Sequence, residues 1–248
     1  MPVPITVRSF DMQGYTVLKG YDAKLIEHHL RVLKPDIDFP AERSNKFTFI
    51  EHDPVRFTEV LDWGDVPLLI RTFCGNHARL DNHFGFNWPA PAARKNIHGG
   101  PYSESRSCYY SRQGDVMQTS NLKIGIALHA QAGLALIPGS HTTSMRANGG
   151  NHDPDELVVP YLNPGDVIVF TDALVHGTVD APGERTMLYY TITPGHVCWA
   201  QYTEPMWLNA LPPERRKLIR PPGIARLHGE GDQRRVLLAA PTYEVTKK

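Results

Sequence analysis

Two short stretches of the chain carry residue types that could do chemistry together. In FTDALVHGTVDAPGERTMLYY, His176 follows an apolar run, Thr178 stands two residues on, and Arg185 opens the next β-rich segment. A barrel sets neighbouring antiparallel strands side by side, so a histidine ending one and an arginine starting the next can face one cavity. There the guanidinium offers a planar fork to a carboxylate, and the threonine hydroxyl adds a donor. The plainer alternative is a hydrogen-bonded rim histidine, with Arg185 paired to Asp180 or Glu184. Far upstream, NIHGGPY presents His98 before a glycine pair, Gly99 and Gly100. The chain has 12 histidines, enough for chance pairings, so context rather than residue type must sort them.

Two punctuated helices precede the β-rich part. DAKLIEHHLRVLKP predicts a helix capped by Asp22, with Leu25, Ile26, Leu30 and Leu33 on one face and Pro35 past its end. DPVRFTEVLDWG predicts a second, with Asp53 as cap, Pro54 in the first helical position, Phe57, Val60 and Leu61 inward and Gly64 as the stop. From residue 66 the reading changes to strands. Segments 66–74, 106–112, 122–128, 134–138, 165–170 and 186–193 are short, rich in β-formers and bounded by Gly, Pro, Asn or Asp. In LKIGIAL, Leu122, Ile124, Ile126 and Leu128 alternate, which predicts one buried face.

Helices followed by many short strands predict a mainly β fold: a double-stranded β-helix (jelly roll, cupin-like) with flanking N-terminal helices. One domain is expected, with helical support over about 1–65, a jelly-roll core over about 66–200 and a tail over about 201–248. Segment 141–160 reads as a polar insertion over one mouth of the barrel, and PPERRKLI as a short helix in the tail.

Taken together, HGG at 98–100, LALIPGSH at 134–141, NPGDVIVF at 163–170 and HGT with a following arginine at 176–185 resemble the phytanoyl-CoA dioxygenase-like branch of the Fe(II)/2-oxoglutarate-dependent oxygenases. The resemblance spans roughly residues 10–200. It implies a jelly-roll barrel with iron at one mouth, His98 and His176 as imidazole ligands, and O2 and 2-oxoglutarate as co-substrates. Arg185 would hold the distal carboxylate of 2-oxoglutarate with help from Thr178. Asn121, Gln118 and Lys123, on or before the strand through 128, are candidates for its proximal carboxylate.

Such iron sites use two histidines and one carboxylate, leaving positions open. The carboxylate is expected two residues after the first histidine, and that position is Gly100, which has no side chain to donate. In halogenating members of the superfamily Gly or Ala stands there, and chloride takes the vacated position. Removing a fixed anionic oxygen leaves room and uncompensated positive charge, which a halide supplies. The resemblance therefore implies a halogenase that chlorinates an unactivated carbon, with chloride beside Gly100.

Other readings remain open on the sequence. His83 shares the His-x-Gly form, and His77 and His129 are further histidines, but only His98 lies in a segment that matches the family. A carboxylate from Glu104, Asp81 or Asp172 would restore a hydroxylase. Asp172 stands four residues before His176, roughly 13 Å along an extended strand, which is too far to share a metal unless the chain turns sharply. The literal His-x-Glu of His228 and Glu230 comes after His176, in the wrong order. A decayed site would leave a non-catalytic jelly-roll binding protein.

The segments flanking His98 suggest the substrate. HFGFNWPAPAARKN (83–96) and RSCYYSR (106–112) combine Phe84, Phe86, Trp88, Tyr109 and Tyr110 with Arg94, Lys95, Arg106 and Arg112. Aromatic faces stack on planar rings, and the cations meet phosphate or carboxylate. As a group they predict a small, polar, anionic and ring-bearing metabolite, with a nucleotide as one candidate and a free amino acid as its rival. His141, in the IPGSH turn, is placed near the same mouth.

Composition sets outer bounds. Lys+Arg 26 balance Asp+Glu 26, so no long-range field advertises a nucleic-acid polymer or membrane surface. Cys74, Cys108 and Cys198 are few and widely spaced, which argues against a disulfide framework and for a reducing compartment. MPVPITVRSF has no apolar signal core, and no apolar run reaches the roughly 18 residues of a membrane helix. The expectation is a cytoplasmic protein with a small-molecule substrate.

Overall fold

The computed structural model describes residues 3–33, 45–88, 95–99, 110–113, 116–119, 121–130, 134–142, 154–179, 185–194, 198–199, 209–219 and 235–236. The helices are α1 (Ile5–Gln13), α2 (Ala23–Leu33), α3 (Pro54–Phe57), α4 (Val66–Cys74) and α5 (Pro213–Ile219). The strands that form the two larger sheets are β1 (Tyr15–Leu18), β2 (Asn45–Phe47), β3 (Arg79–Trp88), β4 (Lys95–His98), β7 (Leu122–Ala127), β8 (Leu134–Leu136), β9 (Val167–Thr171), β10 (His176–Thr178) and β11 (Arg185–Thr193). Two small two-stranded sheets pair β5 (Tyr110–Gln113) with β6 (Val116–Thr119), and β12 (Cys198–Trp199) with β13 (Arg235–Val236).

The main sheet has the order β1-β9-β7-β11-β3-β2, and a second sheet has the order β4-β10-β8. All the pairings are antiparallel. From β7 to β11 consecutive strands alternate between the two sheets, as a jelly roll requires. Among the described residues no helix is long and apolar enough to cross a membrane.

Strand periodicity sorts side chains into two cores. Ile124 and Ile126 of β7, Val167 and Val169 of β9, and Leu188, Tyr190 and Ile192 of β11 pack with Phe10, Phe57, Leu69 and Phe73 of the helices. The alternate residues Ile168, Phe170, Met187 and Tyr189 meet Leu134 and Leu136 of β8 between the sheets. The main sheet is thus covered on both sides, and β7 is buried throughout except at half-buried Lys123. The single buried face expected from LKIGIAL is corrected to two.

Capping follows the sequence. Asp22 accepts from the Lys24 amide at 2.8 Å, and Asp53 accepts from the Arg56 amide at 3.1 Å. The second predicted helix breaks at Thr58 into α3 and a 3-10 turn, Glu59–Asp62. There the Thr58 hydroxyl donates back to the Pro54 carbonyl at 2.7 Å, competing with the helical ladder.

Segment 66–74 is a correction: it forms α4, not a strand. Its buried residues Val66, Leu69, Ile70, Phe73 and Cys74 follow the i, i+3, i+4, i+7, i+8 spacing of a helix, and Pro67 fits the first turn. The five together bury one face against the main sheet, at about 1.5–3 kcal/mol for each large side chain. Of segment 106–112 only the end falls in described residues, in β5, and most of the 141–160 insertion lies outside them.

Candidate functional site

The site is built where the second sheet ends. In the β4–β10 pairing His98 is the direct partner of His176, and on the other edge of β10 His176 faces Leu136. Residues opposed in an antiparallel pair project from the same face, and the two imidazoles meet with ring centroids 4.3 Å apart at 57°. Phe170 of β9 abuts His176 edge-on at 5.0 Å.

Gly99 makes this approach possible. Its φ is 96°, and a Cβ there would stand 2.3 Å from the Leu174 carbonyl oxygen. Only glycine lets the end of β4 lie against the segment that leads into β10.

That segment turns sharply. The Leu174 amide donates to the Thr171 carbonyl at 3.0 Å, closing a turn over residues 171–174. Asp172 therefore lies beside His176, with Oδ1 at 3.9 Å from Nε2. The extended-strand distance that argued against Asp172 does not apply, because the chain is not extended between them.

Asp172 is 2% exposed and firmly held. Asn121 Nδ2 donates to its Oδ2 at 2.8 Å, and the Asp172 amide donates to Asn121 Oδ1 at 3.2 Å. The Lys123 ammonium is 3.6 Å from Oδ2 and donates to Thr191 Oγ1 at 2.8 Å.

His176 is pre-oriented in the same way. Its Nδ1 lies 2.8 Å from the Leu174 carbonyl oxygen. A carbonyl only accepts, so Nδ1 carries the proton and Nε2 presents a lone pair. Burial, and then the neighbouring His98, push its pKa down to about 4, against the opposing pull of Asp172 and the Leu174 carbonyl. The ring is thus held neutral, the form that binds metals.

Arg185, 2% exposed, stands two residues before Met187 and four before Tyr189, both in the core between the sheets. It shares their side of β11 and points into the barrel. Burial lowers its pKa, with Tyr189 partly opposing. Thr178 is half-buried on β10, opposite Leu134 and Lys95. Phe84 joins the inter-sheet core 5.2 Å from Tyr189, with the Lys123 ammonium 5.5 Å from its ring centre.

Other sequence candidates fall elsewhere. Gln118 is exposed on β6, and Asn121 grips Asp172. His141 is fully enclosed, its Nε2 3.1 Å from the Asp11 carbonyl oxygen, and so ties α1 to the turn after β8 rather than lining a mouth. His83 packs edge-on against Phe49 at 4.9 Å in the helix-side core, and His77 is exposed. Gly100, Arg94, Glu104, Arg106, Tyr109, His228 and Glu230 lie outside the described residues, as do the side chains of Trp88, Lys95, Tyr110 and Arg112.

The donor set suits a divalent metal in its chemistry: two imidazoles on one face, one with its second nitrogen tied to a carbonyl, and a carboxylate alongside. Among the described residues no three His, Cys, Asp or Glu side chains are already converged on one ion position. Asp172 was underweighted in the sequence. The signal available was Thr171-Asp172, a turn-favouring pair between a strand and His176.

The same fold occurs in several solved structures. HygX from Streptomyces hygroscopicus, with nickel, 2-oxoglutarate and hygromycin B bound, matches with TM-score 0.66 and 18% identity over 79% of this chain and 89% of that one. EctD from S. alaskensis, with bound Fe, matches with TM-score 0.54 and 19% identity over 76% and 75%. SnoN, a non-heme alpha ketoglutarate dependent epimerase from nogalamycin biosynthesis, matches with TM-score 0.56 and 15% identity over 76% and 82%. At these identities the likeness establishes a shared fold. No family model and no curated protein matches the sequence.

Proposed function

We propose that the chain is an Fe(II)- and 2-oxoglutarate-dependent oxygenase acting on a small polar molecule. The observation that carries this is the pairing of His98 with His176 at the end of a barrel whose interior also holds the buried guanidinium of Arg185. His98 and His176 would hold the metal. Arg185 would receive the distal carboxylate of 2-oxoglutarate, because a guanidinium withdrawn from water is stabilised by a bidentate anion, and the hydroxyl of Thr178 on β10 would assist. Bound Fe(II) supplies O2 activation coupled to decarboxylation of 2-oxoglutarate to succinate. HygX with bound nickel and 2-oxoglutarate, EctD with bound Fe and the alpha ketoglutarate dependent epimerase SnoN support the reading by fold.

The substrate class is a small metabolite that meets Phe84 and Lys123, and an anionic, ring-bearing molecule such as a nucleotide suits that pair. The hygromycin B bound to HygX supports a small polar molecule in this fold. Two outcomes at the substrate carbon have specific support. Chlorination is favoured by Gly100, which leaves a position for chloride. Hydroxylation or a related oxidation is favoured by Asp172, a carboxylate already beside His176.

An anaerobic optical titration with Fe(II) and 2-oxoglutarate, with and without chloride, tests the reading. A visible charge-transfer band is expected, and a chloride-dependent shift would favour chlorination. Absence of both metal binding and the band would leave a non-catalytic binding protein and sink the proposal.

A further inference from the structure

Gly100, two residues after His98, supplies no carboxylate, and the turn before His176 offers a different source for that arm. We infer that Asp172 ligates the same metal ion as His98 and His176, so that the carboxylate comes from the turn joining β9 to β10 instead of from the segment after His98. The inference rests on the two histidines being metal ligands.

Geometry supports it first. Nε2 is the ligating nitrogen of His176, because Nδ1 is committed to the Leu174 carbonyl. Asp172 Oδ1 is 3.9 Å from that nitrogen. With bonds near 2.1 Å, two donors to one ion stand roughly 3–4 Å apart. The three side chains are not already converged on one ion position, so closing the set asks for rotation about the side-chain bonds of Asp172 and His98.

The division of labour between the two carboxylate oxygens supports it second. Oδ2 takes the Asn121 amide at 2.8 Å and is the oxygen nearer Lys123. Oδ1 is the oxygen directed at His176. A simple ion pair with Lys123 explains neither the orientation nor the Asn121 clasp, since Lys123 bonds more closely to Thr191, at 2.8 Å, than to Asp172, at 3.6 Å. Ligating carboxylates are characteristically fixed by such hydrogen bonds to the oxygen that does not bind metal. Asn121 is then a positioning residue, acting on the metal through Asp172.

Two neutral imidazoles and one carboxylate would restore the full anionic complement, leaving no protein position for a halide. The site would therefore oxygenate rather than chlorinate.

The test is Co(II) binding to the apo protein, followed by its visible absorption and by calorimetry, with no turnover required. His98→Ala and His176→Ala are compared with Asp172→Ala and with Asp172→Asn, which keeps shape and the contact to Asn121 where the alanine variant fails to fold. Unfolding midpoints are measured in parallel. Loss of binding in both histidine variants, with at least tenfold weaker binding and an altered Co(II) spectrum in Asp172→Asn, is the expected result. Affinity of the Asp172 variants within twofold of wild type, while the histidine variants lose binding, would overturn the assignment and leave the proposed function standing. Wild-type protein that binds no Co(II) would remove the proposed function, and the inference with it.

Discussion

His98 and His176 face each other across paired strands, yet the chain builds them differently. His176 is 7% exposed, and its second nitrogen is bonded to Leu174. His98 is half-buried at the end of a four-residue strand, directly before Gly99. One half of the site is therefore fixed before any ligand arrives, and the other is the accessible half. The difference separates what holds the fold from what holds a ligand. It also predicts that two substitutions with the same effect on metal will differ in their effect on stability.

The largest effect tests that directly. His98→Ala and His176→Ala should both weaken Co(II) or Fe(II) binding by at least a hundredfold. His176→Ala should also cost about 1–3 kcal/mol, because it leaves the Leu174 carbonyl without its donor and opens a space beside Phe170. His98→Ala, at a more exposed position, should stay within about 0.5 kcal/mol of wild type. Denaturant unfolding of the two variants decides it, and equal losses would break the comparison.

Next in size is Gly99→Ala. A methyl group 2.3 Å from the Leu174 oxygen, on a backbone at φ 96°, must push β4 away from the turn. A loss of about 1–3 kcal/mol is expected from the backbone conformation alone, with more from the clash. Because the turn carries Asp172 and leads to His176, metal affinity should fall with stability. A variant of wild-type stability would show that the close approach is not needed.

How much of this was legible in the sequence varies with the kind of signal. Strands β7, β9 and β11 alternate and were read within a residue or two. Asp22 and Asp53 announced their helices. α4 reads as a strand because Val, Leu, Ile and Phe favour strands, although their spacing is helical. β3 does not read as a strand, and its residues suggest substrate lining (Phe84, Phe86, Trp88) or metal ligands (Asp81, His83), since the polar residues Arg79, Asp81 and Asn82 and the irregular register near Thr191 hide the alternation. Of the proposed site, His98, His176 and Arg185 stand out in the sequence through motif context. Asp172 stands too far from His176 when a four-residue separation is converted with strand geometry, but the turn over residues 171–174 brings its Oδ1 to 3.9 Å from Nε2.

The third effect concerns Arg185, on the fixed side of the barrel. Arg185→Lys keeps the charge and loses the planar fork, so 2-oxoglutarate should bind about tenfold more weakly, or about 1.4 kcal/mol. Metal binding without 2-oxoglutarate should be unchanged, since the comparison assigns that to the histidines. Calorimetry with each ligand alone checks both halves. Unaltered 2-oxoglutarate affinity would remove Arg185 from the site.

The smallest effect near neutral pH sharpens the comparison by adding a third histidine. His29 of α2 is fully buried and lies flat against Phe57, with ring centroids 4.2 Å apart at 18°. Burial, and then His28, push its pKa down to about 3 from the usual 6.5. His29 and His176 are both held neutral, but only His176 faces the proposed metal site. Below pH 6.5 the unfolded chain takes up a proton at His29 that the folded chain refuses until about pH 3. The contribution to stability is therefore intact above pH 6.5 and is lost as pH falls through that window. The linkage gives a loss of about 0.8 kcal/mol at pH 6 and about 2 kcal/mol at pH 5. His29→Phe preserves the stack on Phe57 and abolishes this proton uptake. Wild type should therefore lose about 2 kcal/mol more than the variant between pH 7 and pH 5. Every other histidine, His176 included, is common to both proteins, so the difference isolates His29. If the two pH profiles are parallel, burial in the helical layer does not hold that ring neutral, and the contrast between a histidine buried for packing and one buried for a ligand loses its control.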